Sequence, residues 1–157
     1  IAKLVLKEFK VDVKNLKLIA KTDEDLRVIS AHLQDSIVST SNIANLKKNK
    51  MLLIQLNRFM WEDVEKGVFR KNKRIRTILK FENVLEVNSK NINQKSKDQF
   101  LDFLAIECQQ TPDKHFEMKL IFSGDSVVRV LAEVIEVTLD DQGEPWETKN
   151  KPKHEPL

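Results

Sequence analysis

The sequence predicts an α+β domain with a predominantly antiparallel sheet, and three observations predict it. A capped amphipathic helix stands near the start, several runs alternate apolar and polar residues, and turn residues recur between those runs. Leu16, Leu18 and Ala20 alternate with Lys17, Ile19 and Lys21, as a half-buried strand does. Thr22 then offers a hydroxyl N-cap ahead of Asp23, Glu24 and Asp25, whose carboxylates suit the exposed N–H groups of a first helical turn. Leu26, Ile29 and Leu33 follow at helical spacing, with Val28 on the flank, so this helix lies on a sheet through a narrow stripe. Its end is expected near Asp35 or Ser36, where β-branched and small residues, Ile37 to Thr40, favour an extended chain.

Further on, Leu52, Ile54 and Leu56 share one face of a strand, as do Phe116, Met118, Leu120 and Phe122. Asn49 with its lysines, Pro112 with Asp113, and Gly124 with Asp125 mark three hairpin turns. The pattern is stated twice: Val84 to Val87 in LKFENVLEV match Val134 to Val137 in RVLAEVIEV, each after an alternating run. Two readings are open: related meanders of about three strands each, curled into an open barrel or sandwich, or two runs of ordinary strands. Between them Ser96 and Gln99 have capping-box spacing, and Phe100, Phe103 and Leu104 recur helically, which predicts one short second helix. Beyond Leu139 the chain turns polar, with Gly143, Pro145, Pro152 and Pro156, and regular structure is expected to end. The organisation expected is therefore an N-terminal arm over 1–14, an edge strand or partly an expression remnant, a single domain over 15–143, and a polar tail over 144–157.

Composition bounds the function. At 41% hydrophobic and 32% charged the chain is globular, and it lacks the ~20 consecutive apolar residues that a membrane-spanning helix needs. One cysteine, Cys108, cannot form an internal disulfide and no signal-peptide pattern is visible, so a cytoplasmic setting is expected. A formal charge of +3 is too small to imply nucleic acid by itself.

Several segments together, LKLIAKTDEDLRVISAHLQDSIV, LNRFMWE, LAIE and LDDQGEPWETKNKPKH, resemble the alphaproteobacterial domain of unknown function family 2948, from about Leu16 to His154. The resemblance implies a small bacterial intracellular protein and carries no catalytic residues, metal or cofactor across to these positions.

Chemistry-bearing residues are scattered. His32 and Asp35 are three apart on the helix and are candidates for a base with an orienting carboxylate, against the plainer reading of a polar helix flank. Cys108 reads as a strand thiol, and no zinc spacing, P-loop or nucleophile elbow is found. No catalytic residue, metal ligand or cofactor is therefore assigned. The candidate binding surface is the long connection after Phe59 with the tail: Trp61, Phe69, Arg70, Lys71, Lys73, Arg74, Arg76 and Trp146. Its plainer reading is a solvated loop whose Trp61 tucks back with its indole N–H satisfied locally. The reading favoured is a non-enzymatic binding or adaptor module, with a protein partner or a second copy of the chain. RNA or single-stranded nucleic acid on the basic 66–80 segment is the second reading, and an enzyme of unrecognised type the third.

Overall fold

The computed structural model describes residues 16–62, 72–92 and 99–148. The N-terminal arm, the Ser96 cap, Phe69 to Lys71 and the last residues of the tail lie outside them. Among the described residues, nine strands form one open sheet with helix α1 packed against β1, β3 and β6: β1 (Lys17–Ala20), α1 (Asp23–Leu33), β2 (Ile37–Leu46), β3 (Met51–Phe59), β4 (Lys73–Phe81), β5 (Val84–Lys90), β6 (Phe100–Gln110), β7 (Phe116–Phe122), β8 (Ser126–Ala132) and β9 (Val137–Glu147). A 3-10 turn, Lys47–Asn49, joins β2 to β3.

Helix α1 begins where its cap dictates. Thr22 Oγ1 accepts from Asp25 N at 3.1 Å, and the Asp25 carboxylate accepts in return from Lys21 N at 3.0 Å. Two otherwise unpaired donors are thereby satisfied. Leu26, Ile29 and Leu33 are buried, and the Ser30 hydroxyl accepts from Ile106 N at 3.0 Å, which ties the helix to β6.

The hairpins close where their residues tolerate a left-handed backbone. Lys50 (φ 51°) ends the 3-10 turn, Lys114 (φ 64°) closes the Pro112 turn, and Gly124 and Asp125 (φ 70° and 57°) form the β7–β8 turn.

Sheet order is β1-β9-β4-β3-β2-β6-β7-β8-β5, and every pairing is antiparallel. Strands β2, β3 and β4 form one meander and β6, β7 and β8 another. They meet through β2 and β6, where Val38 is opposite Leu101. Each meander then sends its following strand to the other's far side: β5 pairs with β8, and β9 with β4. The two corners touch, Glu82 N donating to Glu136 O and Glu133 N to Asn83 O, both at 3.0 Å. One core receives α1 and both meanders.

Two expectations are corrected. The short helical turn is at Lys47–Asn49, whereas Phe100, Phe103 and Leu104 belong to strand β6. Leu101 and Phe103 point into the core while Phe100 and Leu104 are exposed, so the alternation of two residues prevails over a spacing that also fits a helix. Strand β9 runs past Leu139 to Glu147, because β4 supplies pairing partners as far as Trp146 and Glu147, and the register shift between Arg74 and Arg76 absorbs Gly143 and Pro145. The duplicated pattern also slips. Val84 opens β5, but its structural counterpart opening β9 is Val137, and Val134 lies exposed in the corner.

Candidate functional site: an outer-face recess and a buried ionic cluster

Alternation along β3 places Leu52, Ile54, Leu56 and then Arg58 on the core side, all buried. Strand β9 likewise turns Val137, Leu139 and Asp141 inward, and β4 turns Thr77 inward between Ile75 and Leu79. Their meeting point is ionic. Arg58 Nε and Nη2 donate to the two Asp141 carboxylate oxygens at 2.8 and 2.6 Å, and Nη1 and Nη2 donate to Glu62 at 3.0 and 2.8 Å. The remaining donor reaches Phe59 O at 3.4 Å, and Thr77 Oγ1 donates to Asp141 Oδ1 at 2.7 Å. Both carboxylates are gripped in the two-pronged geometry that guanidinium favours.

Burial opposes the charge on Arg58, but the hydrogen bonds and charges of Asp141 and Glu62 override it and hold the guanidinium pKa above its ordinary value. Burial similarly pushes the Glu62 carboxyl up. Arg58's hydrogen bonds and charge, with help from the Glu62 backbone and His32, prevail and hold it below the usual carboxylate range. His32 Nδ1 stands 4.0 Å from Glu62, so the helix histidine faces this carboxylate.

Register shows what is unusual here. Phe81, at the end of β4, pairs with Leu52 and Val137; Ala132, at the end of β8, pairs with Phe116 and Val84. With those two corners taken as equivalent, Arg58 falls where the other meander has Phe122, Thr77 where it has Val128, and Asp141 where it has Ser89. A position that one half fills with an aromatic ring holds a buried charge in the other. The cluster fastens β3, β9 and the start of the connection after Met60.

Both ends of that connection brace the helix. The Trp61 indole N–H donates to Gln34 O at 2.8 Å and its ring meets Phe59 edge-on, centroids 4.6 Å apart. Arg74 Nη1 donates to Asp35 O and Asn57 O at 3.1 and 3.0 Å, with its guanidinium 5.8 Å from the Phe59 centroid. Carbonyls at the end of α1 thus receive donors from β4 and from the residue after Met60. Burial lowers the Arg74 pKa, against the pull of Asp102 and Asp35.

The predicted surface residues therefore divide. Lys73, Arg74, Arg76 and Trp146 come together along β4 and β9, Arg74 lying opposite Trp146 and Arg76 opposite Gln142. Trp61 meets Phe59, beside which the Arg74 guanidinium also lies. Trp146 is 41% exposed and Arg76 is exposed. On the same outer face Arg76 lines a shallow recess of about 120 Å³ with Ile37, Ser39, Gln55, Asn57 and Phe100. Phe100 is 68% exposed. Sequence reasoning missed Gln55, Asn57 and Phe100 at this recess and Arg58, Glu62 and Asp141 beneath it. A signal for Arg58 was present, since it continues the apolar alternation Leu52, Ile54, Leu56.

Cys108 lies in β6 with its thiol pushed up to about 11, chiefly by burial and further by Asp23. It is a poor nucleophile at neutral pH. Among the described residues, no group of three or more His, Cys, Asp and Glu is placed to hold a metal, and no helix is long and apolar enough to cross a membrane.

Fold and site define an α+β protein made of two antiparallel meanders that exchange their fourth strands, with an ionic cluster in one half. Residues 16–154 match the family described as Protein of unknown function (DUF2948), and the chain belongs to it. No curated protein and no solved structure matches the chain.

Proposed function

We propose that this protein is a binding module rather than a catalyst, and that it binds its partner on the outer sheet face where β6 meets the first meander, around the recess between Phe100 and Arg76. The observation that carries this reading is the pairing of an aromatic side chain left 68% exposed with a recess lined by polar groups. Gln55, Asn57 and Arg76 spend none of their side-chain donors or acceptors within the described residues. A fold that wraps Arg58 in every hydrogen bond it can make leaves three polar side chains uncommitted on the opposite face of β3 and β4. The reactive groups are engaged otherwise: Glu62 is held by Arg58, and the Cys108 thiol is protonated at neutral pH.

The test is purification from native cells at low salt, with and without nuclease, comparing the wild-type chain with a Phe100→Ser, Arg76→Gln double variant. Both substitutions lie on exposed side chains, so the fold is retained. The wild type is expected to retain a ligand that the variant loses. Identical co-purifying material from both chains overturns the reading.

A further inference from the structure

We propose that the ligand of this face is single-stranded RNA, with one unpaired base seated at the recess. The inference rests on the binding-face reading above and adds the ligand's chemistry. Size comes first. About 120 Å³ is well below the ~300–1,000 Å³ of sites that enclose a drug-sized molecule, and it suits one planar ring inserted edge-on.

The lining then selects among rings. Side-chain amides of Gln55 and Asn57 each present a donor and an acceptor, matching the mixed donors and acceptors on a base edge. Asn42 adds a further amide to the lining, where a ribose 2′-hydroxyl finds a partner, while the Ser39 hydroxyl is shared with Ser41 Oγ at 2.8 Å. Phe100 supplies the π-face on which a base stacks. An aliphatic ligand would leave those amides unpaired and desolvated.

Charge sets the path of the backbone. Arg76 is exposed and uncommitted, whereas Arg74 is held by Asp35 O and Asn57 O, so Arg76 is the cation that this face offers a phosphate. Asp102 is opposite Ile37 on the other side of the recess, so phosphates are repelled there and attracted toward Arg76. A duplex has its base edges paired and cannot place one in the recess. A protein partner would require a wider apolar centre than Phe100 and Ile37 provide.

The decisive experiment is fluorescence anisotropy of the intact chain with a labelled oligouridine of roughly 12 nucleotides, the matching single-stranded DNA and a duplex. Single-stranded RNA is expected to bind at least as tightly as the DNA and more tightly than the duplex, with affinity falling steeply as salt rises from about 50 to about 200 mM. Phe100→Ser is expected to weaken binding roughly tenfold at an unchanged salt slope. Arg76→Gln is expected to reduce the slope by about 0.7. Leu104→Ser, an exposed apolar change four residues along β6 from Phe100 and outside the recess, is expected to leave affinity unchanged. Absence of binding at low salt, preference for the duplex, or indifference to Phe100→Ser overturns the proposal. If these titrations fail while a nuclease-resistant ligand dependent on Phe100 and Arg76 still co-purifies, the RNA inference falls and the binding face stands. If neither is seen, both fall.

Discussion

Arg58 is a fully buried cation that touches two carboxylates, and its energetics follow from what each partner would lose without it. Removing one member of a buried ion pair leaves an uncompensated charge, which costs far more than the intact pair contributes over an apolar substitute. Arg58→Phe, the residue type at the equivalent place in the other meander, is expected to destabilise by about 3–5 kcal/mol. Adding Asp141→Ser and Glu62→Gln should recover most of that loss in chemical denaturation, because no charge is then stranded. A triple variant no more stable than Arg58→Phe would show that the cluster is not the source of the cost. Glu62 also predicts a pH dependence. Its folded pKa is depressed, so its contribution is fully present above the ordinary glutamate value and is lost as pH falls through the lower folded value. Unfolding free energies of wild type and Glu62→Gln, measured from neutral to acid pH, should converge at the acid end. Parallel curves would contradict the assignment.

At the scale of elements, α1 is held by a reciprocal cap at its start and by side chains from elsewhere at its end. Thr22→Ala removes the hydroxyl that Asp25 N uses and is expected to cost about 1 kcal/mol, read as a lowered denaturation midpoint with an unchanged slope. The other end depends on Trp61 and Arg74, which donate to Gln34 O and Asp35 O. Trp61 and Arg74 therefore hold the end of α1 in place, while Phe100 and Arg76 remain exposed. Strand β6 shows how one residue type serves both ends: Phe103 is buried against Phe122, and Phe100, three residues earlier, faces solvent.

For the whole molecule, the exchange of fourth strands makes each half incomplete. Strand β4 depends on β9 and β8 on β5, and four of the eight strand pairings among the described residues join strands that are not consecutive in sequence. Polypeptides 16–92 and 99–154, prepared separately, are each expected to lack cooperative unfolding, because the shared core requires side chains from both meanders. Mixed in equal amounts they should regain a cooperative transition by circular dichroism. Cooperative folding of either piece alone would show that the exchange is dispensable. The same arrangement leaves β1 and β5 as the sheet edges.

Local chemistry made much of this legible in advance. The Thr22 cap, the Leu26, Ile29 and Leu33 stripe, the turns at Asn49, Pro112 and Gly124, and the alternation of β3 and β7 each depend on residues a few positions apart. The repeated meander was readable for the same reason, although its alignment slipped at the corner after Ala132. Tertiary structure decided the rest. Phe100 to Leu104 is a strand because Val38 and Phe122 offer it partners, and β9 outlasts its glycine and proline because β4 lies alongside. Asp141 meets Arg58 across 83 residues, a separation at which sequence pattern carries no pairing information. Spacing alone determines which face a side chain takes; which partner waits on that face is set by the order in which strands enter the sheet.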